Sequence, residues 1–156
     1  LIALRTSGTS GVPRAVVRTT ESWFTSFAHV TELLGMDPSS RLWLPGPLSS
    51  TMNLFAAVHA AHLGATPATT PVAASHAVLT PAALARAVAQ EAYLAGVHVL
   101  VAGDRLDVTA HDRALAAGAG QVSHYYGAAE LSFVAWGPHA DDLRPFPGVD
   151  VVSRDG

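Results

Sequence analysis

Short apolar, β-branched runs alternate along this chain with amphipathic stretches long enough to be helices, and that alternation narrows the fold more than any other feature. Residues 1–5 and 15–18 read as strands on either side of a polar, glycine-bearing loop. Thr19 or Thr20 then caps a helix in which Trp23, Phe27, Val30 and Leu34 recur at helical spacing, closed by Gly35 with Pro38 just beyond. Residues 41–44 read as a strand and 51–63 as a helix stopped by Gly64. Pro81 suits the first position of a helix running to about Leu94, because its missing N–H costs nothing there. A short buried strand over 97–102 leads into Gly103 and Asp104, and Thr109 caps a helix to about Ala117. Residues 121–126, 132–136 and 149–153 read as later strands. Strands alternating with helices predict an α/β fold, a mostly parallel sheet flanked by helices. No internal repeat, low-complexity linker or domain boundary interrupts it.

In such sheets ligands sit beyond the carboxyl ends of the strands. Three glycine-bearing loops fall at expected strand ends: Thr6 to Gly11, Gly103 with Asp104, and Gly127 to Glu130. Their convergence on one crevice is the first functional expectation.

Composition removes many chemistries. All nine basic residues are Arg, so mechanisms that need a side-chain amine cannot run on these residues alone. Cysteine is absent, which excludes thiolate nucleophiles, thiolate metal sites and disulfides. A net charge of -3 leaves no electrostatic footprint for nucleic acid. Hydrophobic residues make up 49%, yet no unbroken apolar run approaches the ~18 residues that a membrane-spanning helix needs. Charged residues are only 13%, about half the usual roughly 25%, so part of the surface is expected to be covered by further polypeptide. The first residue is Leu1 rather than Met, and the chain reads as a piece of a longer protein.

The loop Thr6-Ser7-Gly8-Thr9-Ser10-Gly11 offers four hydroxyls and two glycines. Glycines let successive N–H groups point at one anion and hydroxyls add donors, so polyphosphate is the natural ligand; a solvated hairpin turn has the same composition. The spacing fits neither a Walker loop, which also needs Lys, nor the nucleophile elbow G-x-S-x-G.

Extended to Val12-Pro13-Arg14, this segment resembles the phosphate-binding signature of the AMP-forming adenylate superfamily, which includes acyl-CoA synthetases, peptide-synthetase adenylation domains and luciferases. Tyr126-Gly127-Ala128-Ala129-Glu130 is similar to the second family signature, Tyr-Gly-x-Thr-Glu. Pro47-Leu48-Ser49-Ser50 with its following helix, the strand into Gly103, and Pro145 to Val149 also resemble family segments.

The resemblance implies that residues 1–156 are an AMP-binding core fragment, part of the large N-terminal domain of an acyl-CoA synthetase-like fold. The ribose-binding aspartate, the hinge and the C-terminal domain with its lysine would lie outside it, and the fragment alone would be nearly inactive. Ser7, Gly8, Thr9, Ser10 and Gly11, with Thr6, would hold the β- and γ-phosphates of ATP. Tyr126 would stack on adenine, Gly103 would let adenine approach the backbone, and Gly127, Ala128 and Ala129 would lie against the nucleotide. Arg14 and Glu130 would be the charged catalytic groups, with Glu130 the Mg²⁺ ligand. The substrate would be a small carboxylic acid, activated to an acyl-adenylate and passed to coenzyme A, as in cytoplasmic fatty acid metabolism.

Three residues depart from the family pattern. Arg14 replaces the usual Lys and keeps a cation. Ala129 replaces the Thr hydroxyl, and Ser50 stands where many relatives have His. These departures point to a second reading, a non-catalytic adenylate-binding or interaction relative; a peptide-synthetase adenylation domain is a third.

Other residues carry weaker expectations. His59 and His62 are spaced to share a helix face but lack a third metal ligand. His124 would either line the pocket or pack within its strand. Asn53 and Phe55 would touch the acyl group by resemblance, Trp23, Phe24 and Phe27 read as core, Asp104 as a turn cap, and Asp141-Asp142 as a solvated loop.

Overall fold

The computed structural model describes residues 1–6 and 14–152. The chain opens with an antiparallel hairpin, β1 (Ile2–Thr6) and β2 (Arg14–Arg18), registered from Ile2 opposite Arg18 to Thr6 opposite Arg14. There follow α1 (Glu21–Leu34), β3 (Arg41–Trp43), α2 (Thr51–Leu63), β4 (Thr66–Ala68), a 3₁₀ turn at Pro71–Ala73 and β5 (His76–Leu79). Then come α3 (Pro81–Ala89), β6 (His98–Val101), α4 (Val108–Ala116), β7 (Gln121–Ala128), β8 (Ser132–Gly137) and β9 (Arg144–Pro145). The main sheet has seven strands in the order β4-β3-β5-β6-β7-β8-β9. Neighbours from β4 to β7 run parallel, and β8 and β9 add an antiparallel edge. This is the expected α/β architecture.

Two cores lie on opposite faces of the sheet, sorted by the strand period of two. Val78 and Leu100 face α1 and α2, joining Trp23, Phe27, Val30 and Phe55. Ala77, Leu79, Val99 and Val101 face α3 and α4, joining Leu84 and Ala114. Helix α1 buries Trp23, Phe27, Val30 and Leu34 as its spacing requires, and Gly35 ends it at φ +61°. Helix α2 is apolar nearly all round because it lies between the sheet and the hairpin, where Leu4 is also buried.

Several boundaries differ from the sequence reading, each for a local reason. Strand β5 was not foreseen: its four residues are all buried, so it shows no polar alternation. Strand β4 contains Pro67, tolerated because β4 is at the sheet edge. Helix α3 stops at Ala89 rather than near Leu94, because Glu91 turns to φ 50° and the Ala92 N–H donates back to the Ala87 carbonyl at 2.9 Å. Strand β7 continues through Gly127 and Ala128, so these two residues are strand rather than loop. Residues 149–152 form no strand, the edge being β9, and Ser153 lies outside the described residues.

The cap of α4 is Asp107 rather than Thr109: its carboxylate accepts from the Ala110 N–H at 2.7 Å. Asp107→Ala should therefore lower the unfolding free energy by about 1 kcal/mol, read as a lower urea midpoint with unchanged slope.

Candidate functional site

The parallel strands bring their carboxyl ends to one edge of the sheet. Strand β5 ends at Leu79, and Thr80 follows as the cap of α3, its hydroxyl accepting from the Ala83 N–H at 3.2 Å. Strand β6, paired with β5 from His76–His98 to Leu79–Val101, ends beside it and turns at Gly103. Gly103 has φ +88°, a conformation that strongly favours glycine, and a side chain there would meet only the Thr80 methyl at 3.6 Å. Strand β7 extends past β6, so Tyr125 to Ala128 project beyond the Val101–His124 pair.

The register between β7 and β8 shifts at Tyr126 and Gly127, a bulge. A side chain on Gly127 would run into the Ser132 carbonyl, so glycine is needed for close approach of the two strands. Beside the bulge Tyr126 is 57% exposed, and the chain turns through Ala129 and Glu130, with Glu130 exposed.

The hairpin is tied to this turn. The Arg18 guanidinium donates from Nη1 to the Ala129 carbonyl at 3.1 Å. The strand pair that carries Thr6 and Arg14 at its other end is thus attached to the turn holding Glu130. Arg14 is exposed. Ser7, Gly8, Thr9, Ser10 and Gly11 lie outside the described residues. The structure therefore juxtaposes the Gly103 turn and the Tyr126 to Glu130 segment, and anchors the hairpin against the latter.

Behind this edge, between the α1–α2 layer and the sheet, lies a small apolar cavity with room for roughly one water-sized body. Met52, Phe55 and His59 line it from successive turns of α2, and Val78, Leu100 and Tyr125 from the sheet. Tyr125 is the neighbour of Tyr126 but points to the opposite face, and burial raises its pKa well above the usual tyrosine value.

The sequence profile described as AMP-binding enzyme matches residues 3–154. The chain belongs to the AMP-binding enzyme family. A putative long chain fatty acid-CoA ligase, VraA of Staphylococcus aureus (strain COL), is 41% identical over 61 residues, covering 39% of this chain and 13% of VraA. A variant of E. coli MenE with bound OSB-AMS superposes with a TM-score of 0.77 at 25% identity, covering 94% of this chain and 35% of MenE. VinN in complex with 3-methylaspartate superposes with a TM-score of 0.78 at 18% identity, covering 94% of this chain and 43% of VinN. The chain thus spans a minor part of each relative. The parallel sheet and its flanking helices match part of the acyl-CoA synthetase-like fold.

Other residues of the chain make the following contacts. The His124 ring nitrogen Nδ1 lies 3.0 Å from the Val101 carbonyl inside the sheet, and burial is the main cause holding its pKa below the usual histidine value. Asp104 accepts from the Arg105 N–H at 2.7 Å, and Asp141 pairs with Arg105 at the surface. Asn53 is buried and donates from Nδ2 to the Pro47 carbonyl at 3.1 Å, which fixes the loop between β3 and α2. Phe55 lies in the core and lines the cavity, while Phe24 is half-exposed beside His62. Thr80 and Tyr125 were missed as site-lining residues: the first follows the unforeseen β5, and the second was overshadowed by the adjoining motif.

Among the described residues no group of three suitable metal ligands gathers, at His59 and His62 or elsewhere. His59 is buried, its Nε2 2.8 Å from the Thr31 hydroxyl and its ring against Phe27 and Phe55. Burial first, and His62 second, push its pKa down to about 4 from an ordinary 6.5. The unfolded chain binds the proton more readily, so this contribution to stability is complete above pH 6.5 and is lost as pH falls toward 4. Between pH 7 and 4.5 the protein should lose about 2.5 kcal/mol more than a His59→Leu variant does, measured by urea unfolding at both pH values.

Proposed function

We propose that the complete protein activates a carboxylic acid with ATP, releasing pyrophosphate and forming an acyl-adenylate, and then passes the acyl group to the thiol of coenzyme A in the cytoplasm. The observation that carries this reading is the Arg18–Ala129 contact, which attaches the hairpin of the first signature to the turn of the second. Family membership supplies the chemical class.

In the first step a carboxylate oxygen attacks the α-phosphorus and the bond to pyrophosphate breaks. Both reactants are anions, so rate enhancement comes from positioning and charge neutralisation rather than from a strong base. Ser7, Gly8, Thr9, Ser10 and Gly11, with Thr6, would hold the β- and γ-phosphates, and Arg14 would set a cation beside them. The exposed face of Tyr126 suits adenine stacking, and the open side of Gly103 admits the base to the backbone. Gly127, Ala128 and Ala129 would line the nucleotide, Ala129 without the hydroxyl found in relatives. The exposed carboxylate of Glu130 is a hard oxygen donor of the kind Mg²⁺ prefers. Mg²⁺ held there would supply neutralisation of phosphate charge. In the second step the thiol sulfur attacks the acyl carbon and AMP departs.

The test is product analysis with ATP, Mg²⁺, a carboxylic acid and hydroxylamine, then with coenzyme A in its place. Acyl hydroxamate and AMP in the first mixture, and a thioester in the second, are the expected products. Hydroxamate without thioester would remove coenzyme A as the acceptor. Nucleotide binding without either product would favour the non-catalytic relative, the reading to which Ala129 and Ser50 lend weight.

A further inference from the structure

Glu130 stands on a turn that its own side chains do little to hold. Strands β7 and β8 pair as far as Ala128 opposite Ser132, and between them the chain reverses with the Leu131 N–H donating to the Ala128 carbonyl at 3.0 Å. Glu130 and Leu131 at the tip are exposed, so packing of their side chains contributes little to its shape. Ser132 rejoins the sheet at φ +61°, a left-handed conformation that, among the described residues other than glycine, only Glu91 shares. The turn is thus strained where it ends. With an exposed tip and a strained end, it would open readily unless another group fixed it.

Arg18 supplies that group. Its Nη1 donates to the carbonyl of Ala129, the residue directly before Glu130, and a hydrogen bond given by a cation is stronger than a neutral one. The donor is itself well anchored. Arg18 is the last residue of β2, partly buried and opposite Ile2, while Ile2 and Val16 of the hairpin pack on the same core that Ala129 touches. The bond therefore joins a fixed strand pair to a strained turn.

Resting on the adenylation reading above, we propose that Arg18 is a positioning residue for Glu130: it holds the Ala129 carbonyl, keeps the strained turn closed, and so sets where the Glu130 carboxylate stands before Mg²⁺ and nucleotide arrive. Arg18 touches no reacting atom in this role. A carboxylate on a loose turn would lose affinity for Mg²⁺ to the ordering that binding then demands, and a turn already held avoids that loss. Strain and clamp are also coupled. Relieving the strain at Ser132 makes the bond from Arg18 less necessary.

The experiment uses the complete protein with Arg18→Met, which keeps the apolar stem without the guanidinium, Arg18→Lys, which keeps a cationic donor, and Ser132→Gly, which removes the strain. Deuterium uptake of residues 128–132 is followed in the metal- and nucleotide-free protein, and ATP binding is measured at rising Mg²⁺ and without it. Arg18→Met should speed uptake in this segment about tenfold relative to uptake in β5, and raise the half-saturating Mg²⁺ about tenfold. ATP affinity without Mg²⁺ should stay within about twofold, because Arg18 acts through the turn and not on the phosphates. Arg18→Lys should recover most of both changes. Ser132→Gly alone should slow uptake in the segment, and in its background the effect of Arg18→Met should shrink to about threefold or less. A folded Arg18→Met protein with uptake and half-saturating Mg²⁺ both unchanged would overturn the positioning role. So would an equal loss of ATP affinity with and without Mg²⁺, which marks a direct phosphate contact. If Arg18→Met does not fold, Ser132→Gly decides: unchanged or faster uptake there removes the strain that Arg18 is proposed to hold. Absence of ATP binding by the unaltered protein would remove the adenylation reading, while uptake would still show whether Arg18 holds the turn.

Discussion

Phe55→Ala should destabilise the protein by about 3–5 kcal/mol, among the largest losses expected for any single truncation. Phe55 joins the helical layer to the sheet. Its ring lies 5.4 Å from Trp23, 5.3 Å from Phe27 and 5.0 Å from Phe133, centroid to centroid, in edge-to-face arrangements at 68–74°. Such pairs add about 0.5–1.5 kcal/mol each beyond the area they bury, and removing one ring forfeits all three together with its hydrophobic burial. The surrounding core is fixed by helices on one side and strands on the other, so it cannot collapse fully into the space. Against a total stability of about 5–15 kcal/mol for an ordinary domain, the loss would leave a substantial unfolded fraction at mild denaturant. Urea unfolding followed by tryptophan fluorescence reads it directly. Phe55→Leu retains part of the volume and should cost clearly less, and a loss below about 1.5 kcal/mol for the Ala variant would contradict the proposed packing.

The second large effect is on chemistry rather than on folding. Glu130→Ala should reduce acid-dependent ATP–pyrophosphate exchange on the order of 10²–10³-fold, the scale seen when one electrostatic stabiliser of a transition state is removed. Glu130 is exposed in the turn after β7, so the same substitution should leave stability within about 0.5 kcal/mol of the unaltered protein. That separation distinguishes a ligand for Mg²⁺ from a residue that merely supports the turn. Ser10→Ala would remove one of the several hydroxyls proposed to hold the phosphates, so its effect on exchange should be smaller, about tenfold.

The parts of the fold legible from sequence were those with a local physical signature. Gly35 and Gly64 end α1 and α2 because each takes a positive φ, and Pro81 opens α3 where its missing N–H is harmless. The four-residue spacing of Trp23 and Phe27 marked a buried helix face. Strand β5 had no such signature, since both of its faces are covered and its residues read as a plain apolar run. Missing β5 hid Thr80, whose methyl sits nearest to Gly103. Thr109 has a capping side chain, but the helix starts two residues earlier, just after Leu106, which is pinned in the second core, so Asp107 is the cap.

Of the candidate site, Tyr126 and Glu130 were nameable because their segment resembles a signature of a known family, and Gly103 because it closes a strand that resembles another family segment. The reason Gly127 must be glycine was not readable, because the Ser132 carbonyl that excludes a side chain comes from the other side of a bulge. The link from Arg18 to Ala129 spans 111 positions and leaves no trace in local pattern. The identity of His59 as a cavity wall likewise depends on Thr31 and Phe27 from another helix.

On the proposed function, the two signature segments form one ATP site that activates an acid. Its most direct measurement is Mg²⁺- and acid-dependent ATP–pyrophosphate exchange by the complete protein, compared with Glu130→Ala and Ser10→Ala variants of matched stability. Exchange should require both acid and Mg²⁺, fall about tenfold in Ser10→Ala and fall on the order of 10²–10³-fold in Glu130→Ala. Exchange at the unaltered rate in both variants would contradict it.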